Sequence, residues 1–310
     1  MGSATAERFP SDHMTKWALK RMLRSWRSFV LALTSLMSAC RDSTGLTPTG
    51  PGWIAISLAG IEIEREGIYR IRPDGTELQQ LTGEGASAAW SPDGRQLVYE
   101  THRPNGFGGN DVAIRLHDVS SGSTTSLTQL VTLVMDLDPV WSPDQKQILF
   151  VRVRNSPYST VLFSISPDGT GLHQMGTQLI GGRPDISPDG KRLLVEASDG
   201  LYLGSITGEG LVRIPGTRQG DRVPKWAPDG RRLAFARPGE GIQLLSIDGT
   251  NLVRLDRSGR SVGYDDHPAW SPDGRRIAFV SIDGLFVARV DDGTVNRILS
   301  GPVYEPDWSR

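Results

Sequence analysis

One string, Trp270 to Val280 (WSPDGRRIAFV), limits the possible folds more than any other feature of the chain. It returns at Trp90 (WSPDGRQLVY), Trp141 (WSPDQKQILF), Ile186 (ISPDGKRLLV) and Trp226 (WAPDGRRLAF), and a truncated copy stands at Trp308-Ser309-Arg310. The spacings are 51, 45, 40, 44 and 38 residues. Periods near 40 belong to propeller blades or solenoid units.

Turn chemistry explains the recurrence. Ser, Pro, Asp and Gly suit successive positions of a type I turn: Ser bonds back to the backbone, Pro presets φ, Asp tolerates the bridge region and Gly accepts the exit geometry. A strand ending in Trp precedes the turn, and alternating residues such as Ile277 and Phe279 form a second strand after it. A further hairpin signal follows in most units, at residues 71–76 (IRPDGT), 165–170 (ISPDGT), 246–250 (SIDGT) and 290–294 (VDDGT). Each unit therefore predicts four short antiparallel strands, the content of one blade.

The pattern Pro-x-Trp-Ser-Pro-Asp-Gly-Arg-x-Ile-Ala-Phe resembles the TolB-type β-propeller repeat, a Pro-Asp relative of the WD repeat. The resemblance covers nearly all of residues 53–310. It implies an all-β, six-bladed β-propeller of four-stranded antiparallel blades. Residues 53–57 (WIAIS) match the strand after a WSPDG turn although no such turn precedes them, so residues 305–309 are expected to supply their inner strand and close the ring.

The first forty residues differ from the rest. Lys16, Lys20, Arg21, Arg24 and Arg27 precede an apolar run from 29 to 37 and then Ser38-Ala39-Cys40, the layout of an export signal too short to span a bilayer. Met37-Ser38-Ala39-Cys40 resembles a lipobox, which implies acylation at Cys40, the only cysteine. An ordinary cleaved signal with Cys40 as an incidental thiol is the other reading. The expected organisation is a signal peptide over 1–40, begun at Met14 or Met22, a Thr, Gly and Pro-rich linker over 41–52, and the propeller over 53–310. By the same resemblance, the absence of Asp after the cysteine implies the outer membrane, reached through the lipid anchor alone.

Residues 1–40 hold six of the 34 basic residues and two of the 35 acidic ones, so the remainder is net acidic and nucleic acid is not an expected partner. With one cysteine, no disulfide can form within it.

Blade topology places the WSPDG and DGT turns at one face, and the irregular connections at the other. Those at 102–110 (HRPNGFGGN), 129–138, 154–159 and 257–267 are candidate binding loops, with His102, Arg103, Phe107, Asn155 and Tyr158 as candidate contacts. Residues just before each Trp strand, Ser87, Asp138, Arg183, Val223, His267 and Glu305, are expected to ring the channel, with Asp266 adjacent. This set could hold a divalent cation or polar ligand, or form a hydrated channel whose charges pair among themselves. Asp93, Asp144, Asp189, Asp229 and Asp273 share one turn position and read as structural.

Gly259-Arg260-Ser261-Val262-Gly263 matches G-x-S-x-G, but no strand–turn–helix context surrounds it, so Ser261 is not expected to be catalytic. No metal, cofactor or catalytic constellation is expected. A monomeric, non-enzymatic envelope scaffold is the main expectation, and the resemblance implies a partner of the peptidoglycan-associated lipoprotein type. An enzyme or ligand-binding propeller acting on a polysaccharide or peptide at the channel mouth is the competing one.

Overall fold

The computed structural model describes residues 52–58, 66–106, 109–155, 158–176, 181–256 and 264–309. Cys40, Phe107 and Ser261 lie outside these residues, as do the signal peptide and most of the linker. Among the described residues there is no helix; all regular structure is strand.

The WSPDG string folds as its chemistry requires. In the first copy Gly94 N–H donates to Ser91 O at 2.9 Å, closing the turn. The Asp93 carboxylate accepts from the Ser91 hydroxyl at 2.7 Å and from Arg95 N–H at 3.1 Å. The Ser91 hydroxyl in turn accepts from Gln96 N–H at 2.9 Å. The Ser–Asp bond repeats at Asp144, Asp189 and Asp273, while Asp229, which follows Ala227, caps Arg231 and Arg232 N–H instead. All five carboxylates thus serve their own turns, as expected.

Strands β1 (Ile54–Leu58), β2 (Gly67–Ile71) and β3 (Gln79–Gln80) begin the circuit. The run β4 (Ala86–Trp90), β5 (Gln96–Pro104), β6 (Asn110–Asp118) and β7 (Thr124–Ser126) follows. Next come β8 (Val134–Trp141), β9 (Ile148–Asn155), β10 (Tyr158–Ile165) and β11 (His173–Met175), then β12 (Gly181–Ile186), β13 (Arg192–Ala197), β14 (Gly200–Ser205) and β15 (Val212–Arg213). The last full runs are β16 (Arg222–Trp226), β17 (Arg232–Arg237), β18 (Gly241–Ser246) and β19 (Val253–Arg254), and β20 (Asp266–Trp270), β21 (Arg276–Ser281), β22 (Gly284–Arg289) and β23 (Val295–Ser300). Finally β24 (Val303–Trp308) returns to pair with β1.

The result is an all-β propeller of antiparallel four-stranded blades. Four sheets hold four strands each, and an eight-stranded sheet consists of the β4–β7 and β8–β11 runs joined by one parallel pairing, Val112 with Met135. The seam of the ring is the sheet β24-β1-β2-β3, with Ile54 opposite Trp308 and Leu58 opposite Val303. Trp53 N–H donates to Ser309 Oγ at 2.7 Å, and Ser309 N–H to Trp53 O at 2.8 Å.

The core lies between blades. Apolar residues from one sheet meet the Trp of the next, as Leu233, Phe235 and Trp226 do with Leu194 and Leu201. The residue after the turn closes these contacts: Arg192 covers Trp226, Arg232 covers Trp270 and Arg276 covers Trp308, with guanidinium-to-ring distances of 4.6, 5.2 and 5.1 Å. Trp53 occupies that position in the seam sheet and packs beside Trp90, itself covered by Arg70 and Arg72.

Two expected loops are largely strand. His102 and Arg103 belong to β5, whose pairing with β6 continues to Pro104 opposite Asn110. Pro104 is compatible with a strand because it ends the ladder, where its missing N–H breaks no internal bond. The Arg103 guanidinium donates to the buried Asp111 carboxylate at 3.0 Å across this extension. Likewise Asn155 and Tyr158 face each other as the last pair of β9 and β10.

Candidate functional site at the channel mouth

The six strands β4, β8, β12, β16, β20 and β24 each end in the Trp position, and their register shifts locate a bulge before it in every case. Three residues before the Trp or Ile186, the chain adopts left-handed φ without glycine: Ser87 at 49°, Asp138 at 52°, Arg183 at 49°, Val223 at 49°, His267 at 51° and Glu305 at 49°. Such a conformation costs a non-glycine residue on the order of 1–2 kcal/mol. It is a conspicuous outlier for β-branched Val223. These are the residues expected to ring the channel, and all six line one cavity of about 60 Å³.

A bulge removes a backbone N–H from the ladder, and carboxylates take it up. Ser87 N–H donates to Glu305 Oε2 at 2.7 Å, Asp138 N–H to Glu100 Oε1 at 2.7 Å, and Val223 N–H to Glu196 Oε2 at 2.8 Å. Arg183 N–H reaches Asp138 Oδ2 at 3.3 Å, and His267 N–H donates to Asp266 Oδ1 at 2.9 Å. In four cases the carboxylate comes from the preceding strand run, and at His267 it is the neighbouring Asp266 of the same strand.

Charged side chains complete the wall. Arg183 Nη1 lies 2.5 Å from His267 Nε2. A guanidinium only donates, so this nitrogen must accept, and His267 is neutral with its proton on Nδ1, 3.6 Å from Asp266 Oδ1. Burial lowers the His267 pKa in agreement, against the pull of Asp266. Arg222 pairs with Asp266 at 2.8 Å. Burial together with Glu100 and Glu305 raises Asp138 to about 7, opposed by Arg183. His102 Nε2–H donates to the Glu100 carboxylate at 3.1 Å, and that bond raises its pKa above the usual imidazole value.

The structure thus brings Asp138, Arg183, Asp266, His267 and Glu305 together at one mouth. His102 reaches this group through Glu100, whereas Arg103 is tied to Asp111. Glu100 and Glu196 were not anticipated: each lies in a second strand, and only its cross-blade bond gives it a role. Below the mouth, Asp185, Lys225 and Asp307 sit one residue before their Trp or Ile. Asp185 and Asp307 accept from Trp226 and Trp90 N–H at 2.7 and 2.8 Å. Lys225 and Asp307 line both the mouth and a second cavity of about 110 Å³, walled by Trp90, Trp141, Trp226, Trp270 and Trp308, at the turn side.

Among the described residues no three His, Cys, Asp or Glu groups are arranged to hold a metal ion. No described helix is long and apolar enough to cross a membrane.

No family model matches the chain, and no curated protein matches it. Solved structures do. TolB from Acinetobacter baumannii superposes with a TM-score of 0.69 at 21% identity, over 83% of this chain and 66% of that one, so a third of that protein lies outside the match. A protein from Agrobacterium tumefaciens assigned as TolB gives 0.60 at 20% identity, over 82% and 90%. An oligogalacturonate lyase in complex with manganese gives 0.52 at 16% identity, over 76% and 71%. The chain has the β-propeller fold seen in TolB structures.

Proposed function

We propose that this protein is a non-enzymatic cell-envelope scaffold that binds a protein partner at the channel mouth. The eight-stranded sheet counts as two blades in this reading, which makes the propeller six-bladed. The observation that carries the proposal is the ring of six left-handed, non-glycine residues. Strain repeated at one position in every inner strand, and held in four of them by cross-blade carboxylates, marks a site whose geometry is kept for a purpose other than stability. Exposed Tyr304 adjoins Glu305, and exposed Tyr264 and Ile282 continue the strands just beyond the Asp266–Val280 pair, so large contact residues border the mouth.

An export signal over 1–40 with acylation of Cys40, a linker over 41–52, and periplasmic exposure at the outer membrane complete the reading. A partner of the peptidoglycan-associated lipoprotein type fits it. The test is photo-cross-linking in the native envelope from a photo-reactive residue at Tyr304 or Tyr264, with Arg95 on the turn face as control. A defined adduct from the mouth positions and none from Arg95 is expected. Equal labelling from both faces would end the proposal.

A second reading, an enzyme or ligand-binding propeller acting on a polysaccharide or peptide, is favoured by the likeness to oligogalacturonate lyase. The mouth argues against the catalytic form, since its carboxylates are engaged in holding backbone N–H groups. Release of ultraviolet-absorbing unsaturated uronides from oligogalacturonate, with manganese supplied, would establish that alternative.

A further inference from the structure

The charges lining the mouth are sorted by position around the ring. Going round from the seam, the acids are Glu305 and Asp307 on β24 and Asp138 on β8. The cations are Arg183 on β12 and Lys225 on β16, followed by the neutral His267 on β20. One arc of the wall carries the acids, and the opposite arc carries the two cations.

The charged side chains of the wall are only loosely paired. His267 Nε2 is 3.7 Å from Glu305 Oε1, Lys225 Nζ is 3.9 Å from Asp185 Oδ1, and Arg183 Nε is 4.0 Å from Glu196 Oε2. Elsewhere in the same propeller, guanidiniums are matched to carboxylates in two-pronged pairs: Arg152 with Asp136 at 2.6 and 2.7 Å, and Arg237 with Asp221 at 2.7 and 2.8 Å. Arg183 instead spends its shortest bond on a neutral imidazole. Its charge is positioned by His267 rather than cancelled by an acid. The cavity, of about 60 Å³, has room for the end of a chain.

We infer that the mouth is a binding site for a zwitterionic α-amino carboxylate group, with the carboxylate on Arg183 and the ammonium between Asp138 and Glu305. This rests on the reading that the mouth is the protein's binding site, and it names the chemistry recognised there. An ordinary polypeptide end carries only one of the two charges. The group therefore comes from a free α-amino acid or from a diamino acid residue whose far end is unblocked. Electrostatic complementarity supplies the selectivity: a ligand of a single sign leaves the opposite arc of the wall unpaired.

The test uses the intact protein in calorimetric titrations with alanine, N-acetylalanine and alaninamide. Alanine is expected to bind, and each blocked derivative to lose at least tenfold in affinity. Arg183→Gln should remove the preference of alanine over alaninamide, and Glu305→Gln the preference over N-acetylalanine. A peptide bearing a diamino dicarboxylic acid with a free α-amino carboxylate end separates the sources. Affinity at least tenfold above alanine assigns the group to the peptide, and equal affinity assigns it to the free amino acid. Equal binding of alanine and N-acetylalanine, or no binding by alanine and the peptide, overturns the inference, and neither result depends on a variant that might misfold. Cross-linking from Tyr304 keeps the two proposals apart. Adducts lost in Arg183→Gln with no zwitterion bound leave the scaffold standing and sink this inference; zwitterion binding with no adduct does the reverse.

Discussion

Gln145 stands where the other complete turns carry glycine, and it adopts the same left-handed conformation, φ 61° beside 70° at Gly94 and 73° at Gly190. The side chain is exposed, so the strain has no packing return. Gln145→Gly is expected to stabilise the protein by about 0.5–1 kcal/mol, once the greater freedom of glycine in the unfolded chain is subtracted. A urea midpoint that stays the same or falls would show that side-chain contacts hold this turn. Asp138 makes a second prediction of this kind. Its carboxyl rises from an ordinary 3.8 to about 7 because of burial and the Glu100 and Glu305 carboxylates facing it from β5 and β24, against Arg183 on β12, which His267 orients. Between about pH 4 and pH 7 the folded protein keeps a proton that the unfolded chain has released. This contribution to stability is full below pH 4 and is lost as pH rises through 7. Asp138→Asn should therefore gain in melting temperature relative to the parent as pH goes from 5 to 8; a pH-independent difference would show that the carboxyl is not held protonated.

At the scale of the strand, what could be read from sequence depended on whether the signal was local. The WSPDG turns were legible because Ser, Pro, Asp and Gly act within six residues, and the bonds from Ser91 and Asp93 are those their chemistry predicts. Counting back from each Trp also found the channel ring. The bulges themselves were hidden, since Ser87, Asp138, Arg183, Val223, His267 and Glu305 share no residue type and none is the glycine that announces positive φ. In four of the six the partner is non-local: a carboxylate such as Glu100 or Glu196, from a different blade, takes the displaced N–H. Residues 102–110 misled in the other direction. Pro104 and the glycines suggested a loop, whereas Arg103 and Asp111 tie the ladder well beyond the blade. A similar tie carries a prediction at β16–β17, where Asp221 is fully buried and grips Arg237 in a two-pronged bond, with Gly216 O taking the guanidinium as well. Arg237→Ala leaves that charge in the interior and is expected to cost about 3–5 kcal/mol, whereas Arg237→Met with Asp221→Leu should recover much of it. Equal losses in the single and double variants, measured by denaturant unfolding, would show that packing of the Arg stem, not its charge, was what mattered.

For the whole molecule, the decisive contact is the one between its two chain segments farthest apart in sequence. Without β24, strand β1 would be an open edge and the last inter-sheet interface would lose Val303 and Trp308, both buried in the cluster that also holds Ile54, Ile56 and Val287. A ring has no other way to compensate, because each blade touches only its neighbours and a gap at the seam exposes two sheets at once. Trp308 is also the residue that Arg276 covers and against which Gly52 packs so tightly that a Cβ there would meet its Nε1 at 2.6 Å. Trp308→Ala removes a buried aromatic at this joint and should cost about 3–5 kcal/mol. The same truncation at Trp226 would be similar in energy but different in distribution, since both flanking blades there are continuous in sequence. Hydrogen exchange distinguishes the two cases. In Trp308→Ala, protection of β1 and β24 should fall together while β12–β15 keep theirs; in Trp226→Ala the loss should centre on β16 and leave the seam protected. If β1 stays as protected as β13 in the Trp308 variant, the ring is held by the blades individually, and closure is not what secures the mouth geometry.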